Sequence, residues 1–229
     1  MKVSSFFLFI STCFLTNVPS IGITQNFKGV IRYETASNLR PELDTLTWFF
    51  SDSIVLNIPT KGSDTITTES FFLWLLDEGK LFGYNEKINT WEEIVIDSKS
   101  KTKVNAFDSL GVEKNVLGFD CDQFLLKSSF TSQYGKMGAI HQLWLAKELK
   151  FEIPYPKFKR ITEPLINNLA HRIVLYEEGM PDLANTDPML QPLGKTPHST
   201  LRAVSIQHQL PPLFFEIVRA FREGRAVRE

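Results

Sequence analysis

Residues 27–35 alternate in character. Phe27, Gly29, Ile31 and Tyr33 stand against Lys28, Val30, Arg32 and Glu34, and a period of two predicts a strand with one face toward water. Residues 46–50 and 54–58 are β-branched or aromatic runs separated by Ser51-Asp52-Ser53, the second closing at Pro59 ahead of Lys61-Gly62, which predicts two strands of a meander. Residues 69–76 and 81–84 flank Asp77-Glu78-Gly79-Lys80, a hairpin whose glycine takes the turn conformation that other residues resist. Further strands are predicted at 91–96, at 116–127 as one long strand bent near Gly118, and at 141–147, 172–177 and 201–210.

Two stretches change period. Ile161, Leu165 and Leu169 recur every four residues, with Thr162 as cap and Pro164 in the first turn, which predicts a helix. Leu213, Phe214, Ile217, Val218 and Phe221 form a second helical stripe between Pro211-Pro212 and Gly224. The stretch from 180 to 197 is irregular and proline-bearing. Seven or more strands joined by short turns predict an antiparallel sheet, because parallel pairing needs a crossover of a dozen or more residues each time. The expected fold is mainly β (α+β): a curved antiparallel sheet, a half-barrel or open barrel, with about two helices covering one face.

Segment 69–76 breaks the alternation. Phe71, Leu73 and Leu75 lie on one face and Phe72, Trp74 and Leu76 on the other, so both faces need cover. The chain also carries 19 Phe. A filled core is one reading of this aromatic load. The other is a concave apolar cavity, with Trp48, Phe50, Phe72, Trp74, Phe82 and Trp144 as candidate lining for an apolar or lipid-like ligand.

The amino terminus has the secretory order: Lys2, an apolar run over 6–15, then the small residues Ser20 and Gly22. Residues 1–20 are expected to be a signal peptide, cleaved after Ser20 or Gly22, and 21–229 a single exported domain that is periplasmic, outer-membrane-associated or secreted. A ten-residue run is too short to span a bilayer, and no later stretch is long and uncharged enough to do so. Cys13 follows the β-branched Thr12, where a lipidation signal places a small residue, and is read as an ordinary signal residue. That leaves Cys121 without a disulfide partner, as a small buried side chain.

Charge and motifs narrow the chemistry. A formal charge of −1 gives no electrostatic footprint for nucleic acid. His141, His171, His198 and His208 have no metal-ligand spacing, and Gly194-Lys195-Thr196 lacks the leading glycine of a phosphate loop, with Met189 in its place. No G-x-S-x-G elbow occurs. Asp120 and Asp122 are expected to be solvent-facing carboxylates. No metal, cofactor or catalytic residue is assigned.

Three segments, Phe27-Lys28-Gly29-Val30-Ile31-Arg32-Tyr33, Val116-Leu117-Gly118-Phe119-Asp120-Cys121 and Leu143-Trp144-Leu145-Ala146-Lys147, resemble the exported bacterial domains of the GLPGLI-type group and its neighbours. The likeness covers the order of elements along most of the mature chain. It implies an architecture similar to periplasmic lipoprotein carriers, half-barrels closed by helices, and hence apolar-ligand binding by fold analogy. The expected function is that of a noncatalytic envelope protein holding an apolar or lipid-like ligand. The alternatives are an interaction or structural protein that docks on an envelope protein through a sheet edge or the C-terminal helix, and, third, an enzyme without a recognisable motif.

Overall fold

The computed structural model describes residues 26–38, 40–61, 71–85, 88–94, 101–132, 134–152, 166–167, 171–191, 198–225 and 227. The expected signal peptide, most of the expected helix over 161–169 and the Gly194-Lys195-Thr196 turn lie outside them. The chain begins with a six-stranded meander: β1 (Gly29–Ser37), β2 (Arg40–Phe50), β3 (Ile54–Lys61), β4 (Phe72–Leu75), β5 (Lys80–Asn85) and β6 (Thr90–Glu93). Three long strands follow, β7 (Lys101–Val116), β8 (Phe119–Ser132) and β9 (Gly135–Lys150), then the two-residue β10 (Ile166–Asn167), β11 (Arg172–Pro181), β12 (Ser199–Gln207) and one helix, α1 (Pro212–Arg222).

The strands form one antiparallel sheet in the order β6-β5-β4-β3-β2-β1-β12-β11-β9-β8-β7, with β10 paired to the start of β11. The sheet is open, since its two outer strands do not pair with each other. Consecutive hairpins build each half, and β12 returns to lie between β1 and β11, where it joins the two halves.

Two expectations are corrected. Among the described residues there is one helix, not two, and Ile166 and Asn167, inside the expected helix over 161–169, pair with Ile173 and Arg172 as strand β10. Fourfold spacing of three leucine-type residues is compatible with a strand, because i and i+4 also share a strand face. The expected single strand over 116–127 is instead the end of β7 at Val116, a turn at Leu117-Gly118 and the first part of β8. Leu117 and Gly118 both take left-handed φ values, 53° and 88°, the conformation of a two-residue primed turn. Asn115 Oδ1 accepts from the Gly118 N–H at 2.9 Å and closes it.

The meander half is apolar on both faces, as 69–76 predicts. On one face Val30, Phe49, Leu56 and Leu73 receive Phe214, Ile217 and Val218 of α1, with the Phe49 and Phe214 rings 6.0 Å apart. Helix α1 begins at Pro212, whose missing N–H costs nothing in a first turn. It ends where Gly224, at φ 63°, lets Arg225 N–H reach the Ala220 carbonyl. On the opposite face Ile31, Tyr33, Phe50 and Trp74 share a core with Cys121 and Ala146 from the other half of the sheet.

Hydrogen bonds outside the ladder also tie the halves. β12 pairs with β11 only over Tyr176–Gly179, and across the gap beside that pairing Tyr33 donates its buried hydroxyl to the Val174 carbonyl at 2.9 Å. Phe27 N–H reaches the Lys150 carbonyl at 2.7 Å, joining the lead of β1 to the end of β9.

Candidate functional site

The six aromatic candidates separate into three places. Trp48, Phe50 and Trp74 are buried in the core between the halves, with Phe72 packed against them. The indoles of Trp48 and Trp74 stack at 5.2 Å, and Phe50 and Phe72 each lie 6.2 Å from one of them. These four rings occupy one another's faces. Phe82 lies on the other side of the sheet, 4.9 Å from Phe221 of α1. Trp144 is half-buried, packs on the rim of the core and faces a cleft.

That cleft has a volume of about 580 Å³, within the ligand-pocket range of about 300–1,000 Å³. Its floor is a register row across four strands. Gln123 on β8 pairs with Trp144 on β9, Trp144 with Tyr176 on β11, and Tyr176 with Arg202 on β12. Residues paired across a ladder point to the same face, so four consecutive side chains stand side by side. Gln142 and Glu178, paired across β9 and β11, add a second row. The tip of the β7–β8 hairpin forms a wall, bringing Lys114 and Leu117 to the cleft.

The electrostatics are specific. Lys114 Nζ lies 5.4 Å from the Trp144 ring centroid and 5.6 Å from that of Tyr176, within cation–π range of both. Tyr176 donates its hydroxyl to Glu178 Oε1 at 2.6 Å. That bond, with burial behind it, pushes the phenol up to about 12, so the phenol stays a neutral donor. Gln123 donates to the Gln142 carbonyl oxygen at 3.3 Å. Six of the twelve lining residues carry amides or charges, which gives the cleft donors and acceptors beside its two rings.

Of these residues the sequence pattern singles out Trp144 alone. A signal was present: the alternation over 141–147 places Trp144 with Gln142, opposite Leu143 and Leu145. An indole beside an amide on one strand face, at the edge of a core, is a mark of a mixed apolar and polar surface. The row itself depends on long-range register, which no local pattern encodes.

A smaller cleft of about 240 Å³ lies over the far ends of β9, β11 and β12. There His141 Nδ1 stands 2.7 Å from Glu177 Oε1, and Glu177 Oε2 is buried without a partner. Ser199 faces His141 across Gly179, where a Cβ would come within 2.9 Å of Ser199 Oγ and 3.5 Å of the imidazole. Ser199 and His141 make no hydrogen bond, so the nucleophile–base contact of a catalytic serine is not formed.

Asp122 departs from its expected solvated state. Arg172 and Lys147 reach it at 2.6 and 3.2 Å. Burial would raise its carboxyl, but the hydrogen bonds and charges of these cations outweigh that and hold it below the ordinary value. Cys121 is fully buried, and burial pushes its thiol up to about 11. Among the described residues no three His, Cys, Asp or Glu side chains are placed to hold a metal ion, and no helix is long and apolar enough to cross a membrane. No protein-family model matches the chain, and no curated protein matches it.

Proposed function

We propose that this protein is an exported, noncatalytic binding protein of the cell envelope, which holds a small amphipathic ligand in the cleft over β8, β9, β11 and β12. The observation that carries this reading is the row of Gln123, Trp144, Tyr176 and Arg202 on the floor of a ligand-sized cleft. A purely apolar guest fits the aromatic rings less well than a mixed one. Trp48, Phe50, Phe72 and Trp74 are engaged with one another, whereas Trp144 presents its ring beside amides and charges. Export rests on the order of residues at the amino terminus, and a mature mass beginning at Ile21 or Ile23 is its expected signature. Native mass spectrometry of the protein isolated from its own host tests the binding role. A bound small molecule is expected on the wild type and not on Trp144→Ala, and equal loading of the two would contradict the site.

A second reading has its own observation. β7 is a sixteen-residue strand at the sheet edge, and Val104, Leu110 and Val112 on it are exposed. An open edge with apolar side chains favours strand addition by a partner. If this edge docks another chain, Val112→Lys lowers the mass of the assembly seen by light scattering. An unchanged mass would count against the edge as an interface.

A further inference from the structure

Resting on that reading of the cleft, we infer that its ligand is a short acidic oligosaccharide. Three features of the site select this class. The first is shape. The Gln123–Trp144–Tyr176–Arg202 row runs across four neighbouring strands, and a pyranose ring is about as long as the strand spacing of roughly 4.8 Å. Successive sugar rings laid across the strands therefore meet successive side chains, two of them aromatic. The electron-rich face of an indole or phenol attracts the weakly positive C–H face of a sugar.

The second feature is hydrogen-bonding balance. Sugar hydroxyls donate and accept, and the cleft offers both: the amides of Gln123 and Gln142, the carboxylate of Glu178 and the guanidinium of Arg202. These planar groups suit paired hydroxyls. An acyl chain in the same place would strip water from four polar groups without replacing their hydrogen bonds, which disfavours it there.

The third feature is charge. Glu178 already receives the Tyr176 hydroxyl. Lys114 contacts the two rings, and among the described residues neither it nor Arg202 forms an ion pair. Among the residues lining the cleft two cations stand with one carboxylate, and Glu34, opposite Arg202 across β1 and β12, forms no ion pair with it; the excess on the lining favours a sugar bearing a carboxylate, which a guanidinium can hold with two parallel bonds.

The experiment is calorimetric titration of the full mature protein with three probes: trigalacturonate, the neutral trisaccharide cellotriose, and dodecanoate. Saturable binding of trigalacturonate is expected, at least tenfold tighter than cellotriose and weakened by salt. Trp144→Ala should weaken trigalacturonate more than tenfold, while Arg202→Gln, at an exposed position, should abolish the preference for the acid with its circular dichroism spectrum unchanged. Equal binding of the two saccharides would overturn the acidic assignment. Saturable binding of dodecanoate alone would overturn the saccharide inference and leave the cleft standing as a binding site. Silence from all three probes also overturns the inference, and the binding role then rests on the copurifying molecule alone.

Discussion

Leu117 holds a left-handed backbone conformation that costs a residue with a side chain about 1–2 kcal/mol, and it does so at the mouth of the cleft. Asparagine ahead of glycine is the ordinary solution for such a turn. A leucine kept there points to use of its side chain. Leu117→Asn is therefore expected to raise stability by about 1 kcal/mol in urea unfolding while weakening retention of the copurifying ligand. A variant that gains stability and keeps its ligand would remove Leu117 from the site. Asp122 gives a pH signature. Its carboxyl is held below its ordinary value of 3.8, so its contribution is present above that value and lost as pH falls through the folded one. Asp122→Asn should be less stable than wild type at pH 7, and the gap should close on acidification below pH 3.8. A constant gap in urea titrations across that range would refute the pairing with Arg172 and Lys147. Cys121, buried and with its thiol pushed up to about 11, should resist iodoacetamide in the native state and react on unfolding. Rapid native labelling would contradict its burial.

Local pattern carried most of the elements. Alternation found β1 and β9, the Gly79 turn between β4 and β5 stands at φ 63°, and the Leu213 to Phe221 stripe became α1. β7 was illegible for a physical reason. It is an edge strand whose register shifts between Val104 and Ala106 and again between Ser109 and Glu113, so its alternation is broken twice and most of its side chains are exposed. Without β7 in the pattern, the Leu117-Gly118 turn reads as a bend within one strand. α1 in turn does its work on the meander, where Phe214 is buried against Phe49. Phe214→Ala should cost about 3–5 kcal/mol by loss of transfer energy and the cavity left behind. A loss below 1 kcal/mol in chemical denaturation would mean that the helix is not an integral cover of that face.

The architecture of the whole follows from one long-range pairing. β12 inserts between β1 and β11, converting two hairpin assemblies into an eleven-strand path and bringing Arg202 beside Tyr176. The sequence carries each of these side chains without indicating that they meet. For the same reason the aromatic surplus could not be apportioned in advance between a filled core and a ligand site. Trp48 and Trp74 pack on each other, and their indole N–H groups, like the side-chain amide nitrogen of Asn57, are buried without an acceptor. Trp144 faces the cleft. The ligand is expected to touch Trp144 and not the stacked pair. Nitrogen-15 labelling of tryptophan gives one indole N–H signal for each of the 4 Trp, and the direct measurement compares their spectra before and after extraction of the copurified molecule. The Trp144 signal should move while those of Trp48 and Trp74 stay fixed. Movement of the Trp48 and Trp74 signals with Trp144 unchanged would place the ligand in the core between the halves and rule out the cleft as its site.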